Sequence, residues 1–305
     1  MAGTDTVGET LADSGDIDHD AVVVGGGAAG LSAAVFLARY GLDTLVLARG
    51  KSAIAQCAHL ENYLGFPGGV SPDRFLALGR SQVTEAGGTV REELVEGVEP
   101  ASLPEASVEA DGRPPDTGGF RVESDEDAYL TRYVLTATAY DGDMLAPFID
   151  DIDTDDEYGF VDSDSGRTAV EGLYAAGWMT DETVHQAVVS AGHGARAAIA
   201  LVRDDLGARY WPAVADHYVD WVVHEGRYGG DDWDEHTREW FEDEVLVEGV
   251  DDDFAETALA HLKAEFRDRE IDDDERERRD RAGQRRLLDH LDDDVVRAYA
   301  DELDS

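Results

Sequence analysis

The stretch AVVVGGGAAG, residues 21–30, decides the fold of this 305-residue chain. Its apolar half is predicted as a buried strand, and apolar residues at helical spacing follow the glycines from Leu31 to Ala38. Gly41 then ends the helix, and residues 44–47 are predicted as a second buried strand. The order strand, glycine turn, helix, strand is typical of a nucleotide-binding α/β unit.

Three of these glycines form a G-x-G-x-x-G pattern, each with its own physical reason. Gly25 permits a tight turn, Gly27 lets the backbone approach a pyrophosphate, and Gly30 lets the helix pack closely on the strand. The helix that begins at Ala28 and Ala29 would stabilise the anion with free N–H groups and its positive dipole end. We therefore predict a bound dinucleotide.

The identity of the dinucleotide stays open at this point. A ribose-binding acid usually lies about 20 residues beyond the glycines, and this chain has Ala48-Arg49 there. Arg49 is suited to a 2′-phosphate, which would favour NADP. FAD and NADP are therefore both compatible with the glycine turn.

The middle of the chain is predicted to add a β-meander to this unit. Residues 50–70 are expected to be an extended loop, and Ser71-Pro72-Asp73 should begin a helix that runs to Ala86. Short strands are then predicted over 90–98, at Val108 and over 120–122 and 133–138.

The second half should close the fold and continue as helices. Residues 141–168 are expected to be a loop with few apolar anchors, followed by a strand at 173–176 and a helix at 186–202. The region beyond Leu206 is predicted to be helical. Its clustered aromatic residues are expected to pack in a core or interface: Tyr210, Trp211, Tyr218, Trp221, Trp233, Trp240 and Phe241. Near the end, apolar residues are spaced to form one face of a helix: Leu287, Leu288, Leu291, Val295 and Val296.

Four further motifs give the chain a family resemblance. They are ENYLGFPGG at 61–69, VLTATA at 134–139, VEGLYAAGW at 170–178, and HQA at 185–187, followed by AGHG. In this order they resemble the FAD-binding parts of thioredoxin reductases over roughly residues 20–205. The resemblance implies a three-layer FAD/NAD(P)-binding, Rossmann-like α/β fold with a β-meander insert, extended by helices at the C-terminus.

The resemblance also assigns roles to residues. Gly25, Gly27 and Gly30 would face the FAD pyrophosphate, Asn62 would lie near the flavin, and Gln186 and Ala187 would contact the isoalloxazine ring. Gly177 and Trp178 would lie where the closing strand meets the cofactor.

Three departures from the family pattern qualify these roles. Trp178 stands where the family has the aspartate that binds the ribitol chain, and Ala48 replaces the acidic ribose ligand. The acidic connection at 141–168 takes the place of the NADPH domain and its Cys-x-x-Cys. These departures keep a cofactor-free binding or assembly protein open as an alternative.

Cys57 is the candidate catalytic residue. It is the single cysteine and lies five residues before Asn62. A neighbouring cation such as Arg49 would favour its thiolate. His59, His185 and His193 are candidate proton donors, although a structural role is the simpler interpretation of each.

Charge dominates the composition, with 69 acidic against 25 basic residues and a net charge of −44. A polyanion would be repelled, so nucleic acid is excluded as a partner. Almost all basic residues are arginines, and the acid excess resembles that of proteins from salt-loving archaea. A single cysteine and the absence of a long apolar stretch favour a cytoplasmic protein with no membrane contact.

We therefore expect an acidic tail at 1–19, an FAD/NAD(P)-binding domain at 20–205 closed by 169–205, and an acidic helical region at 206–305. The function expected is that of an FAD-dependent oxidoreductase. Electrons would come from a redox partner protein, from transient NAD(P)H or from the substrate, and a homodimer is the other association to consider.

The acid excess predicts a strong dependence of stability on salt. Carboxylates on the folded surface repel one another, and the Debye length falls to about 3 Å at 1 M salt. The thermal midpoint should rise steeply between dilute buffer and molar potassium chloride, measured by circular dichroism. A midpoint that does not depend on salt would contradict this interpretation of the composition.

Overall fold

The structure is a computed structural model that describes residues 17–50, 52–104, 118–138, 142–152, 154–155, 160–161, 163–230 and 232–305. Most of the expected acidic tail at 1–19, the strand expected at Val108 and the last residue of the 134–139 motif lie outside these ranges. Among the described residues, no helix is both long and apolar enough to cross a bilayer.

The described elements follow the predicted order. The first half contains β1 (His19–Val24), α1 (Ala28–Tyr40), β2 (Thr44–Leu47), α2 (Pro72–Glu85), β3 (Thr89–Arg91), β4 (Val95–Ser102), β5 (Gly118–Ser124) and β6 (Ala128–Thr136). The second half contains β7 (Thr154–Asp155), β8 (Phe160–Val161), β9 (Leu173–Ala175), α3 (Ala187–Arg209), α4 (Pro212–Ala215), β10 (Val223–His224), α5 (Trp233–Trp240), α6 (Asp252–Asp268), β11 (Glu270–Ile271), α7 (Asp273–Leu288) and α8 (Asp293–Leu303). Short 3-10 helices cover Ala53–Gln56, Asp143–Phe148 and Gly177–Met179, and a π-helical turn covers Phe241–Val245.

One sheet organises the nucleotide-binding part, with the strand order β3-β2-β1-β6-β5-β4 and β9 paired to β6. Strands β1, β2, β3, β6 and β9 pair in parallel, whereas β4, β5 and β6 form the antiparallel meander. Strand β6 belongs to both parts, because its first residues pair with β5 and Val134–Thr136 pair with β9. The predicted α/β fold with a meander insert is confirmed.

The side chains of β1 alternate between the two faces of the sheet, because successive residues of a strand point to opposite faces. Ala21 and Val23 pack with α1 and α3 in one core cluster, while Val22 and Val24 pack with the meander in another. The parallel sheet is therefore the middle of three layers, with helices on one face and the meander on the other.

The described residues of the connection at 141–168 contain more buried apolar side chains than the sequence predicts. Its 3-10 helix buries Met144, Leu145 and Phe148, and Ile152 is 2% exposed just beyond it. Phe148 packs against Phe120 of the meander with ring centroids 5.8 Å apart. The prediction of few apolar anchors is wrong, because the meander offers an apolar face that these scattered residues cover.

Helices α1 and α3 lie so close together that glycine is required between them. A Cβ on Gly194 of α3 would lie 2.0 Å from the carbonyl oxygen of Ala29 in α1. Further along α3, the fully buried Asp205 accepts hydrogen bonds from Tyr40 Oη at 3.0 Å and Tyr133 Oη at 3.1 Å. These contacts fix α3 to both α1 and the sheet.

The region beyond Leu206 has its own apolar cluster, which includes Trp211, Phe241, Leu259 and Leu262. The indole of Trp211 donates to the carbonyl of Val245 at 2.7 Å. The core prediction holds for Trp211, Phe241 and Tyr218, which are buried. Trp221 lies outside this core, since it is 62% exposed.

The last apolar residues do not form one buried helix face. The helical structure is interrupted between α7 and α8, and Asp292 is the N-cap of α8. Neither helix buries a residue. Leu287, Leu288, Leu291 and Val295 are all exposed by more than 40%. Arg74 of α2 links this interruption to the nucleotide-binding part. It donates hydrogen bonds to the carbonyl of His290 and to the carboxylate of Asp292, both at 2.8 Å.

Two glycines of α3 allow a matched test of the contact between α1 and α3. Gly194→Ala should lower the free energy of unfolding by about 1–3 kcal/mol, since the added methyl overlaps backbone of α1. Gly192→Ala has open space around its Cβ and should raise stability by up to about 1 kcal/mol, as alanine is the better helix former. Urea unfolding in molar salt measures both, and shifts of the same sign would contradict the close packing.

Candidate functional site

A cavity of about 780 Å³ lies at the carboxyl ends of the parallel strands. Its lining includes Gly25 after β1, Ala48 after β2, Ala137 after β6 and Gly177 after β9. This is the edge where sheets of this kind bind ligands, and the volume falls within the ~300–1,000 Å³ usual for such sites.

The glycine turn forms one wall of the cavity. Gly25 has φ +116°, and a Cβ there would lie 2.6 Å from the carbonyl oxygen of Ala137. Gly27, Ala28 and Ala29 line the cavity beside it. Gly30 does not, because it faces the carbonyl oxygen of Gly25, which a Cβ would approach to 1.9 Å. Its place fits the packing role that the sequence predicts.

Two helix N-termini face the same cavity. Helix α1 begins after Gly27, which has no side chain to cap it, and α3 begins after Gln186, whose side chain makes no capping bond. The first N–H groups of a helix have no acceptor within the helix, and each N-terminus carries a partial positive charge. The cavity can therefore stabilise negative charge at two separate points.

Arg49 lines the end of the cavity near Ala48 and forms an ion pair with Asp125. The N–H of Leu94 donates to Asp125 at 2.9 Å, and this bond and the nearby Arg49 hold the pKa of the Asp125 carboxyl below its usual value. A 2′-phosphate on Arg49 would compete with this carboxylate. Ala48 is buried, and its methyl packs against Gly26.

The opposite end of the cavity brings together the remaining predicted residues. Asn62 Nδ2 donates to Gln186 Oε1 at 2.7 Å, which joins the loop at 61–69 to the start of α3. Trp178 lies on the wall with its ring 4.4 Å from that of His185, at an interplanar angle of 34°. Cys57 is exposed and also lines the cavity.

The three candidate histidines occupy different places. His59 and His185 line the cavity, whereas His193 lies within α3 and contacts Thr180 Oγ1 at 3.5 Å. Burial lowers the pKa of His193, and Arg196 lowers it further. His193 is therefore mainly uncharged at neutral pH.

Several lining residues were not predicted from the sequence. Ser52 is the N-cap of the 3-10 helix after β2 and Ile54 lies within that helix, Thr138 follows β6, and Ser190 lies in the first turn of α3. Thr138 could have been found, since it is the last residue of the strand predicted over 133–138. Within the described residues, no group of three or more His, Cys, Asp or Glu side chains could hold a metal ion.

Comparisons with known proteins agree with this arrangement. A family model described as "FAD binding domain" matches residues 20–58, which contain the glycine turn. A thioredoxin reductase from Aquifex aeolicus (strain VF5) is 38% identical over 71 residues, 23% of this chain and 22% of that protein. Over this stretch the chain is similar to a thioredoxin reductase, and it spans less than a quarter of that relative's length.

Solved structures show the same fold at low identity. A thioredoxin reductase from Gloeobacter violaceus superposes with a TM-score of 0.56 at 18% identity, over 68% of this chain and 98% of that one. An oxidoreductase from Agrobacterium tumefaciens gives a TM-score of 0.50 at 15% identity, over 62% and 98%. At these identities the solved structures show that the fold is shared, and the match of residues 20–58 to the FAD-binding family model indicates FAD as the cofactor.

Cys57 provides a direct probe of the cavity. Because the thiol is exposed, native protein should take up one neutral maleimide label per chain without denaturant. Saturating FAD should slow the labelling severalfold, since an occupant of the cavity would cover its lining. Mass spectrometry over time measures both rates. Equal rates with and without FAD, once FAD binding has been verified, would place Cys57 outside the occupied site.

Proposed function

We propose that the protein is an FAD-dependent oxidoreductase whose cofactor lies across the cavity between α1 and α3. The observation that carries the proposal is the meeting of two uncapped helix N-termini on one cavity of about 780 Å³. A dinucleotide carries charge in its pyrophosphate and, in a flavin, gains charge on the ring when reduced. Two positive helix ends suit both positions.

The proposed pyrophosphate site is the glycine turn. Gly25 and Gly27 leave room for close backbone approach, and the N–H groups of Ala28 and Ala29 begin α1. Gly30 does not line this site, but its lack of a side chain allows α1 to pack against the glycine turn.

The proposed flavin site is at the start of α3. Asn62, Gln186 and Ala187 line it, and the hydrogen bond between Asn62 and Gln186 fixes their side chains relative to each other. FAD, when bound, would supply two-electron transfer at its ring. The dipole of the 23-residue helix α3 would stabilise negative charge there.

Trp178 is proposed to replace the family's aspartate with an aromatic contact. The indole is half-buried and lies on the cavity wall rather than in the core. An indole offers a large apolar face and one N–H donor, but it cannot accept hydrogen bonds. Together with Ala48, this removes two polar contacts to the cofactor, so affinity depends more on stacking and on the helix ends.

The remaining assignments are also proposals. Cys57 is the candidate catalytic thiol beside the flavin, and a redox partner protein or transient NAD(P)H is the candidate electron source. We propose domain limits at 20–205 and 206–305, with a homodimer as the candidate assembly. The acid excess supports a salt-rich cytoplasm as the setting.

FAD affinity of Trp178 variants tests the proposal. Trp178→Ala should weaken FAD binding about tenfold, because an aromatic contact adds roughly 0.5–1.5 kcal/mol beyond simple burial. Trp178→Asp should retain or increase affinity, since it restores the acceptor of the related enzymes. Titration calorimetry with FAD in molar potassium chloride measures both.

Trp221→Ala is the matched control, since Trp221 is 62% exposed and outside the residues that line the cavity. Its FAD affinity should equal that of the unaltered protein. A folded Trp178→Asp protein that loses FAD would contradict the proposed position of Trp178. Failure of the unaltered protein to take up FAD would favour the cofactor-free binding protein instead.

A further inference from the structure

The two ends of the cavity differ in charge. Arg49 and Arg80 line one end and are paired with Asp125 and Glu92. These pairs are adjacent, because Asp125 also accepts from the N–H of Leu94, two residues after Glu92. The charged lining residues of the described chain are therefore concentrated here, apart from Glu61 at the other end.

The end near Asn62 and Gln186 is built from two segments almost without charge. Residues 52–72 contain one Asp, Glu, Lys or Arg, which is Glu61, and residues 183–195 contain none. In the whole chain these residue types make up 31%. Burial does not explain the difference, because residues 55–59, 183–186 and 188 are exposed.

Apolar side chains occupy this exposed surface. Leu64 is 91% exposed, Val184 51% and Val188 44%. Val184 and Val188 flank residues 185–187, which line the cavity, and Leu64 belongs to the loop that Asn62 joins to Gln186. The tilted ring pair of Trp178 and His185 adds aromatic surface next to them. In an otherwise strongly acidic protein, these side chains form an apolar rim around one end of the site, bordered by the carboxylates of Glu61 and Glu182.

We propose that this rim selects an apolar ring compound without an anionic group as the substrate of the flavin site. The inference rests on the proposed function, because it places the substrate beside the cofactor. An anionic group on the ring would lose its hydration against Val184 and Val188 and would approach the carboxylate of Glu182, which accepts from the N–H of Val184. A neutral ring would bury apolar surface against these side chains and stack on the aromatic pair.

Binding of two probes with the same ring system tests the proposal. The probes are 2-naphthol, which is neutral at pH 7, and naphthalene-2-sulfonate, which is anionic. Calorimetry is done on FAD-saturated protein in molar potassium chloride, where long-range repulsion is screened. We expect the neutral ring to bind about tenfold or more tightly than the sulfonate, a difference that charge desolvation produces. Equal affinities, or no binding of 2-naphthol, would overturn the proposal.

A pair of valine variants locates the binding. Val188→Asp should weaken 2-naphthol about fivefold or more, whereas Val222→Asp, at an equally exposed valine elsewhere, should leave it unchanged. Aspartate in the first turn of α3 is compatible with folding, because it suits the helix dipole. Equal effects of both variants would overturn the assignment. The flavin absorbance is recorded in every titration, so loss of FAD, which would count against the proposed function, is distinguished from loss of the ring compound.

Discussion

Ala29 is the point at which the structure brings its ligand-binding elements together. The residue lies in the first turn of α1, and two glycines give it the necessary room. A Cβ on Gly194 would lie 2.0 Å from its carbonyl oxygen, and a Cβ on Gly177 would lie 2.9 Å from its methyl group. Gly30, the next residue, lies against the carbonyl of Gly25 in the same way. Because these contacts are so close, the glycine turn, the end of β9 and helix α3 have little freedom relative to one another. Both helix N-termini therefore face one cavity, and the proposed chemistry depends on this arrangement.

The fold was largely predictable because its signals are local. Apolar runs, the glycines at 25, 27 and 30, the Ser71-Pro72 helix start and Gly41 at a helix end each act within a few residues. The buried face of residues 143–152 was not predictable in this way, since Met144 and Phe148 are apolar residues within an acidic segment and only the meander surface explains their burial. The interruption between α7 and α8 was not predicted either. The apolar spacing of the sequence continues through it and so suggests one helix where the structure has two.

The sequence indicated most of the candidate residues that line the cavity, but not the contacts between them. The motifs indicated Asn62, Trp178 and Gln186, yet residues 62 and 186 are 124 positions apart and only the folded chain shows their hydrogen bond. Similarly, the sequence suggested Arg49 as a ligand for a 2′-phosphate or a neighbour of Cys57, and the structure pairs it with Asp125. Such pairings depend on how distant loops meet. No local pattern encodes them.

The central claim is that FAD binds between the N-termini of α1 and α3, and the absorbance spectrum of the purified protein in molar salt tests it most directly. The account predicts a flavin spectrum, either as purified or after addition of FAD and removal of the excess. It also predicts that denaturation releases intact FAD at close to one molecule per chain. A folded protein that shows no flavin absorbance after incubation with FAD would contradict it.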